Sequence, residues 1–243
     1  MFNIIIKDTY DEVSKEAFKV MKAVLDEKKD AVLGLATGST PVGLYQEMIR
    51  DHKENGTSYK DVITFNLDEY VGIPRDHRES YYTFMHKELF DFIDCPEDHI
   101  HVPYGAGEDP VADAAAYEEE IKKYQVDIQL LGIGSDGHIA FNEPGTPFDS
   151  ETHVADLAQS TIDDNCRFFD NDPSQVPTKA VTQGIATIMR AKKILIVATG
   201  ANKADAVYGM LRKEKSTDCT ASALQDHPDV VVILDKAAAA KLD

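Results

Sequence analysis

The stretch Leu130-Leu131-Gly132-Ile133-Gly134-Ser135-Asp136-Gly137-His138-Ile139-Ala140-Phe141-Asn142-Glu143-Pro144 decides how the chain is read. An apolar run over residues 126–133 ends in glycines, the pattern of a buried strand that stops in a turn. Asp136-Gly137 is a turn signal, and Gly137 can take a backbone conformation closed to bulkier residues. Asp136, His138 and Glu143 lie just beyond the strand, so an imidazole is presented between two carboxylates. Histidine side chains titrate near neutral pH, and a flanking carboxylate can set the tautomer and raise the basicity. From these residues alone, acid–base chemistry, metal binding and a loop hydrogen-bond anchor all stay open. The spacing matches no His-x-x-x-His or Cys/His ligand pattern, which makes metal the weaker reading. No nucleophile elbow occurs, so acyl transfer by a Ser–His–Asp set has no support.

On either side of this stretch, apolar runs alternate with helical periodicity. Residues 3–6 read as a strand and a candidate edge, and Val13, Ala17, Val20, Met21 and Val24 place a helix over 11–28. A buried strand at 31–36 leads into Thr37-Gly38-Ser39-Thr40-Pro41, where Thr40 is a good N-cap and Pro41 a good first helical residue. A strand at 62–67 ends in Asp68-Glu69-Tyr70. Helices are expected at 80–91, from 110 onward, at 178–190 and at 201–214, strands at 194–198 and 230–234, and a frayed helical end at 236–243. Strands that are apolar throughout, separated by helices, predict an α/β fold with a mostly parallel sheet covered on both faces. No repeat or composition break divides residues 1–243, so one domain is expected. The segment 148–177 is rich in Asp, Ser, Thr and Asn; irregular segments of that length are more often functional than idle, and a lid is expected.

Composition narrows the partners. The chain has 243 residues, 43% hydrophobic, and a formal net charge of −18. That field repels nucleic acid and anionic membrane, and an anionic substrate would need a locally positive pocket. Cys95, Cys166 and Cys219 are scattered with no CxxC, which suits reduced thiols in a cytoplasmic protein. The first seven residues lack the layout of a signal peptide, and no apolar run is long enough for a membrane span.

Four of the expected strands end in polar or Gly-rich turns: 37–40, 68–70, 134–138 and 199–203. Ligands of open parallel sheets sit at the carboxyl ends of strands, so these turns should surround one crevice. Gly38 allows close backbone approach, and Ser39, Thr40 and the free N–H groups of a helix start favour an anion; an ordinary capped helix fits the same residues. Asp68 and Glu69 follow a buried strand and, as neighbours, point in different directions, so only one should face the crevice. It is a candidate general base, although two solvated acids are the simpler reading in so acidic a chain. Arg167 and Lys203 are candidate anion holders; taken singly, each reads better as a surface ion pair.

The ordered set of motifs resembles the glucosamine-6-phosphate deaminase family over nearly the whole chain. The resemblance is carried by 131–144 together with Leu35-Ala36-Thr37-Gly38-Ser39-Thr40-Pro41, Phe65-Asn66-Leu67-Asp68-Glu69-Tyr70, Arg167-Phe168-Phe169-Asp170-Asn171, Gln175-Val176-Pro177 and Thr199-Gly200-Ala201-Asn202-Lys203-Ala204. It implies a Rossmann-like three-layer α/β/α sandwich. The implied reaction takes D-glucosamine 6-phosphate and water to D-fructose 6-phosphate and ammonia, with neither metal nor organic cofactor. By matching position Asp68 would move the C2 proton to C1. His138, supported by Asp136 and Glu143, would open the sugar ring. Gly38, Ser39, Thr40, Arg167 and Lys203 would hold the phosphate, and 148–177 would be the lid.

Two departures matter. Regulated members of the family carry Arg and Lys where this chain has His153 and Ala155, and they run further past Leu234; an unregulated, monomeric enzyme is therefore expected. Ser39 replaces a glycine common in the family. The related 6-phosphogluconolactonases follow Gly-x-Asp-Gly-His with Thr-Ala-Ser and carry Asp-Glu-Arg in place of Asp68-Glu69-Tyr70, so both positions favour the deaminase. A non-catalytic sugar-phosphate sensor would need a DNA-binding head, for which no basic helix-turn-helix is present and which the net charge opposes.

Overall fold

The apolar runs pair into one seven-stranded sheet. The structure, a computed structural model, describes residues 2–242. The strands are β1 (Phe2–Lys7), β2 (Val32–Leu35), β3 (Ile63–Asn66), β5 (Ile100–His101), β6 (Ile128–Leu131), β9 (Lys193–Ala198) and β10 (Val230–Asp235), all paired in parallel. Across the sheet they run in the order β1-β10-β9-β6-β2-β3-β5. β1 pairs only with β10 and is an edge, as the sequence suggested. β2, β6 and nearly all of β9 and β10 are buried, which is why they read as unbroken apolar runs.

Helices cover the sheet. They are α1 (Tyr10–Glu27), α2 (Val42–Asn55), α3 (Tyr81–Glu88), α4 (Pro110–Ile121), α6 (Ile185–Met189) and α7 (Ala204–Arg212). α1 starts with a capping box in which the Thr9 hydroxyl accepts from the Glu12 amide and the Glu12 carboxylate accepts from the Thr9 amide. It buries Val13, Ala17, Met21 and Leu25, one face at helical spacing. α4 is capped by Asp109 and begins with Pro110, and Ala114, Tyr117 and Ile121 turn inward as expected.

A second sheet was not foreseen. β4 (Asp68–Tyr70), β8 (Lys179–Thr182) and β7 (His153–Asp156) pair antiparallel, with β8 in the middle. The expected helix over 178–190 is thus corrected to a strand, a break at Gly184 and the short α6. Helical spacing and strand alternation both place Val181 inward, and two strand partners, Glu69 and Val154, settle it as strand. Asp68-Glu69-Tyr70 is likewise a strand and not a turn. The segment 148–177 is more ordered than its composition suggested: β7 and α5 (Gln159–Asn165) lie in it, over a small apolar cluster that includes Tyr70, Phe141, Ile162 and Phe169.

Three local expectations also change. The Thr40 side chain caps nothing; Pro41 occupies the cap position and α2 begins at Val42. The amide of Gly43 donates instead to the Tyr10 hydroxyl at 2.9 Å, so a distant side chain supplies the cap. The helix expected from 201 opens as one tight turn, Ala201–Lys203, before α7. Residues 236–240 form turns, and Ala238 and Ala239 are buried by packing; Asp243 lies outside the described residues.

Candidate active site

The chain crosses from one half of the sheet to the other between β2 and β6. β2 is followed outward by β3 and β5, while β6 is followed on the opposite side by β9, β10 and β1. Loops leaving the carboxyl ends at such a reversal diverge and leave a crevice. A cavity of about 350 Å³ lies there. Its walls include Gly38, Ser39, Thr40, Asp68, His138 and Lys203, one or more from each of the expected turns, with Arg167 from the segment after α5. Asp136 and Glu143 do not line the cavity; they stand behind His138.

Asp68 sits on β4 and is 6% exposed, not solvated. Burial, and then the charge of Glu69, push its carboxyl up to about 8. Glu69 points the other way, as strand alternation requires. Its carboxylate accepts from the backbone amides of Tyr70, Tyr81 and Tyr82 at 2.9–3.1 Å and so pins the start of α3. Burial raises Glu69 to about 6 against those donors.

His138 is positioned by two glycines. Gly137 has φ +92° and lets the chain turn back, with the His138 amide donating to Asp136 Oδ1 at 3.1 Å. Gly134 carries the imidazole against its backbone: a Cβ there would lie 2.4 Å from the ring. Both carboxylates converge on Nδ1, Asp136 Oδ1 at 2.8 Å and Glu143 Oε2 at 3.5 Å. Asp136 is therefore the closer partner. Burial alone would raise its carboxyl, and the His138 contact outweighs this and holds it below the ordinary carboxylate range. With Nδ1 facing two acids, the imidazole offers Nε2 to a reactant. The same three side chains have ligand atoms within 4.8 Å of one another, a spacing a cation would also accept.

Arg167 and Lys203 are not in ion pairs among the described residues, in contrast to Lys28 and Lys192, which both hold Asp127. Arg167 instead lies over the Phe168 ring, 4.7 Å from its centroid. Burial lowers the Lys203 ammonium below its usual range, with Asp164 opposing and Arg167 adding to it. Two unneutralised cations facing one cavity, beside the Gly38–Thr40 backbone, make a positive spot in a protein of net charge −18. Sequence reasoning passed over Tyr70, Tyr81, Thr161 and Asn165, which also line the cavity. The i, i+4 spacing of Thr161 and Asn165 was the available signal, hidden because α5 was not recognised as a helix.

A family model described as glucosamine-6-phosphate isomerases/6-phosphogluconolactonase matches residues 6–233. The chain belongs to this family. Among its glucosamine-6-phosphate isomerase/6-phosphogluconolactonase relatives, the glucosamine-6-phosphate deaminase of Streptococcus thermophilus is 48% identical, with 100% of both chains covered. Glucosamine-6-phosphate deaminase 2 of Bacillus subtilis is 47% identical over 98% of this chain and 97% of the relative. Among solved structures, a monomeric glucosamine-6-phosphate deaminase superposes with a TM-score of 0.96 at 43% identity, covering 98% of this chain and 99% of that one. The 6-phosphogluconolactonase of Trypanosoma cruzi superposes with a TM-score of 0.81 at 26% identity, covering 100% and 97%. Likeness to the deaminases exceeds likeness to the lactonase in both sequence and backbone.

Proposed function

We propose that this protein is a glucosamine-6-phosphate deaminase, converting D-glucosamine 6-phosphate and water to D-fructose 6-phosphate and ammonia. The observation that carries the reading is a cavity lined by two separate proton-transfer groups, Asp68 and His138, and by two cations, Arg167 and Lys203, that have no ion-pair partner among the described residues. An aldose-to-ketose shift with ring opening needs two such groups; lactone hydrolysis acts at C1 and moves no C2 proton.

The phosphate binds Arg167, Lys203 and the backbone and hydroxyls of Gly38, Ser39 and Thr40, and this fixes the sugar relative to the two stations. His138, oriented by Asp136 and Glu143, takes the proton of the C1 hydroxyl and returns one to the ring oxygen, giving the open-chain aldehyde. Asp68 in its carboxylate form removes the C2 proton; the electrons of that C–H bond form the C1–C2 double bond of an enolamine, and the C1 carbonyl oxygen takes up a proton from the substrate ammonium. The proton held by Asp68 then passes to C1, and the nitrogen lone pair leaves an iminium at C2. Water adds to that carbon and ammonia departs, completing fructose 6-phosphate. This sequence calls on no metal or organic cofactor.

Residues 1–243 act as one domain in this reading, with 148–177 as its lid. Among the described residues no helix is long and apolar enough to cross a membrane. We place the enzyme in the cytoplasm, in amino-sugar catabolism downstream of N-acetylglucosamine. His153 and Ala155, where regulated members carry Arg and Lys, support a monomer without control by acetylated sugar phosphates. Ammonia release from glucosamine 6-phosphate, measured beside hydrolysis of 6-phosphogluconolactone, is the direct test. Ammonia without lactone hydrolysis is expected; the reverse pattern would replace this reading with the lactonase.

A further inference from the structure

Glu143 has two carboxylate oxygens with different work. Oε1 accepts from the Ala158 amide at 3.1 Å and from the Thr161 hydroxyl at 2.6 Å, both at the start of α5. Oε2 lies 3.5 Å from His138 Nδ1 and has no hydrogen-bond partner among the described residues. One turn further along the same face of α5, Asn165 Nδ2 donates to the Tyr70 hydroxyl at 2.9 Å, which also accepts from Tyr81 at 3.2 Å. Tyr70 is two residues beyond Asp68 on β4. Residues four apart on a helix share a face, so one face of α5 touches the supports of both proton-transfer stations.

We infer that Thr161 is a positioning residue: its hydroxyl, with the Ala158 amide, holds Glu143 so that the free oxygen faces His138, and thereby ties the placement of α5 to ring opening. Thr161 is 5% exposed, so this contact competes little with water. Asn165 makes the matching tie to Tyr70. A carboxylate anchored through one oxygen presents the other in a fixed direction; without the anchor it rotates, and a rotated carboxylate orients an imidazole poorly. The assignment rests on the deaminase reading for its catalytic consequence, and on geometry alone for the tie between α5 and Glu143.

The test has two arms. In the first, kcat and KM for ammonia release are measured for Thr161→Val, Glu143→Gln and the double variant. Thr161→Val should lower kcat about tenfold with little change in KM, Thr161→Ser should restore it, and the double variant should be no slower than Glu143→Gln. Multiplicative losses, or a loss confined to KM, would show that Thr161 acts independently of Glu143 and overturn the inference. In the second arm, hydrogen–deuterium exchange across 158–165 is measured without substrate. Both Glu143→Ala and Thr161→Val should speed exchange of the Ala158 amide several-fold. Unchanged exchange overturns the tie whatever reaction the enzyme catalyses, so its failure is distinct from failure of the deaminase reading, which would appear as absent ammonia release in the wild-type protein.

Discussion

At Asp68 the chain buries a carboxylate beside a second one, Glu69, with 6% and 2% of their surfaces exposed. A base must be unprotonated to act, and burial lifts Asp68 to about 8. In the free enzyme kcat/KM should therefore rise with pH and level off above about 8. A flat profile between pH 6 and 9 would remove Asp68 as the base. Asp68→Asn should lower kcat by about 10²–10⁴-fold, the usual range for removing such a group. The same burial has a sign in stability. The folded chain keeps this proton up to about 8 while the ordinary value is 3.8, so the folded state binds the extra proton between those limits. Stability is greatest below the lower value and is lost as pH rises through the upper one. Asp68→Asn removes that loss, so its gain in Tm should be small near pH 4 and largest above pH 8; thermal melts across that range check the sign.

Elements place these residues, and two of the placements depend on contacts remote in sequence. The Tyr10 hydroxyl accepts from the Gly43 amide and donates toward the Ser39 and Thr40 carbonyls, at 3.0 and 3.1 Å. It thus fastens the Gly38–Thr40 loop, which lines the cavity, to α1. Tyr10→Phe should raise KM about threefold to tenfold with kcat nearly unchanged, the worth of one hydrogen bond, as steady-state kinetics would show. In the loop after β6, Gly134→Ala would drive a methyl into the His138 ring. Activity should fall by more than tenfold while the circular-dichroism spectrum stays native; an active variant would mean that the ring moves aside without cost. At 178–190 one apolar spacing fits a helix and a strand alike. Only the antiparallel partners β4 and β7, whose own segments read as loop, distinguish them.

Across the whole molecule, charge and topology set the remaining properties. A net charge of −18 destabilises the compact state by self-repulsion, and salt screens it. Raising NaCl from about 10 to about 300 mM should raise Tm by a few degrees. A fall would mean that surface ion pairs, such as those of Lys122 with Glu119 and Glu151, outweigh the repulsion. The reversal of strand order between β2 and β6 explains why turns up to about 160 residues apart in sequence share one cavity.

The parallel sheet was legible because buried strands advertise themselves as apolar runs: 126–133 contains β6, and 194–198 lies within β9. The site residues were legible as types at strand ends, since glycine, histidine and carboxylates are conspicuous after such runs. What the sequence by itself determined was the sheet, its crevice and the identity of the groups around it. What tertiary structure decided was orientation: which acid of Asp68-Glu69 faces the cavity, which carboxylate is nearer His138, and that α5 reaches Glu143 through Thr161. Those depend on pairings between segments far apart in the chain, where local spacing carries no information about direction. A carboxylate's burial, and with it the raised value that makes Asp68 a usable base, exists only once β4 has found β8.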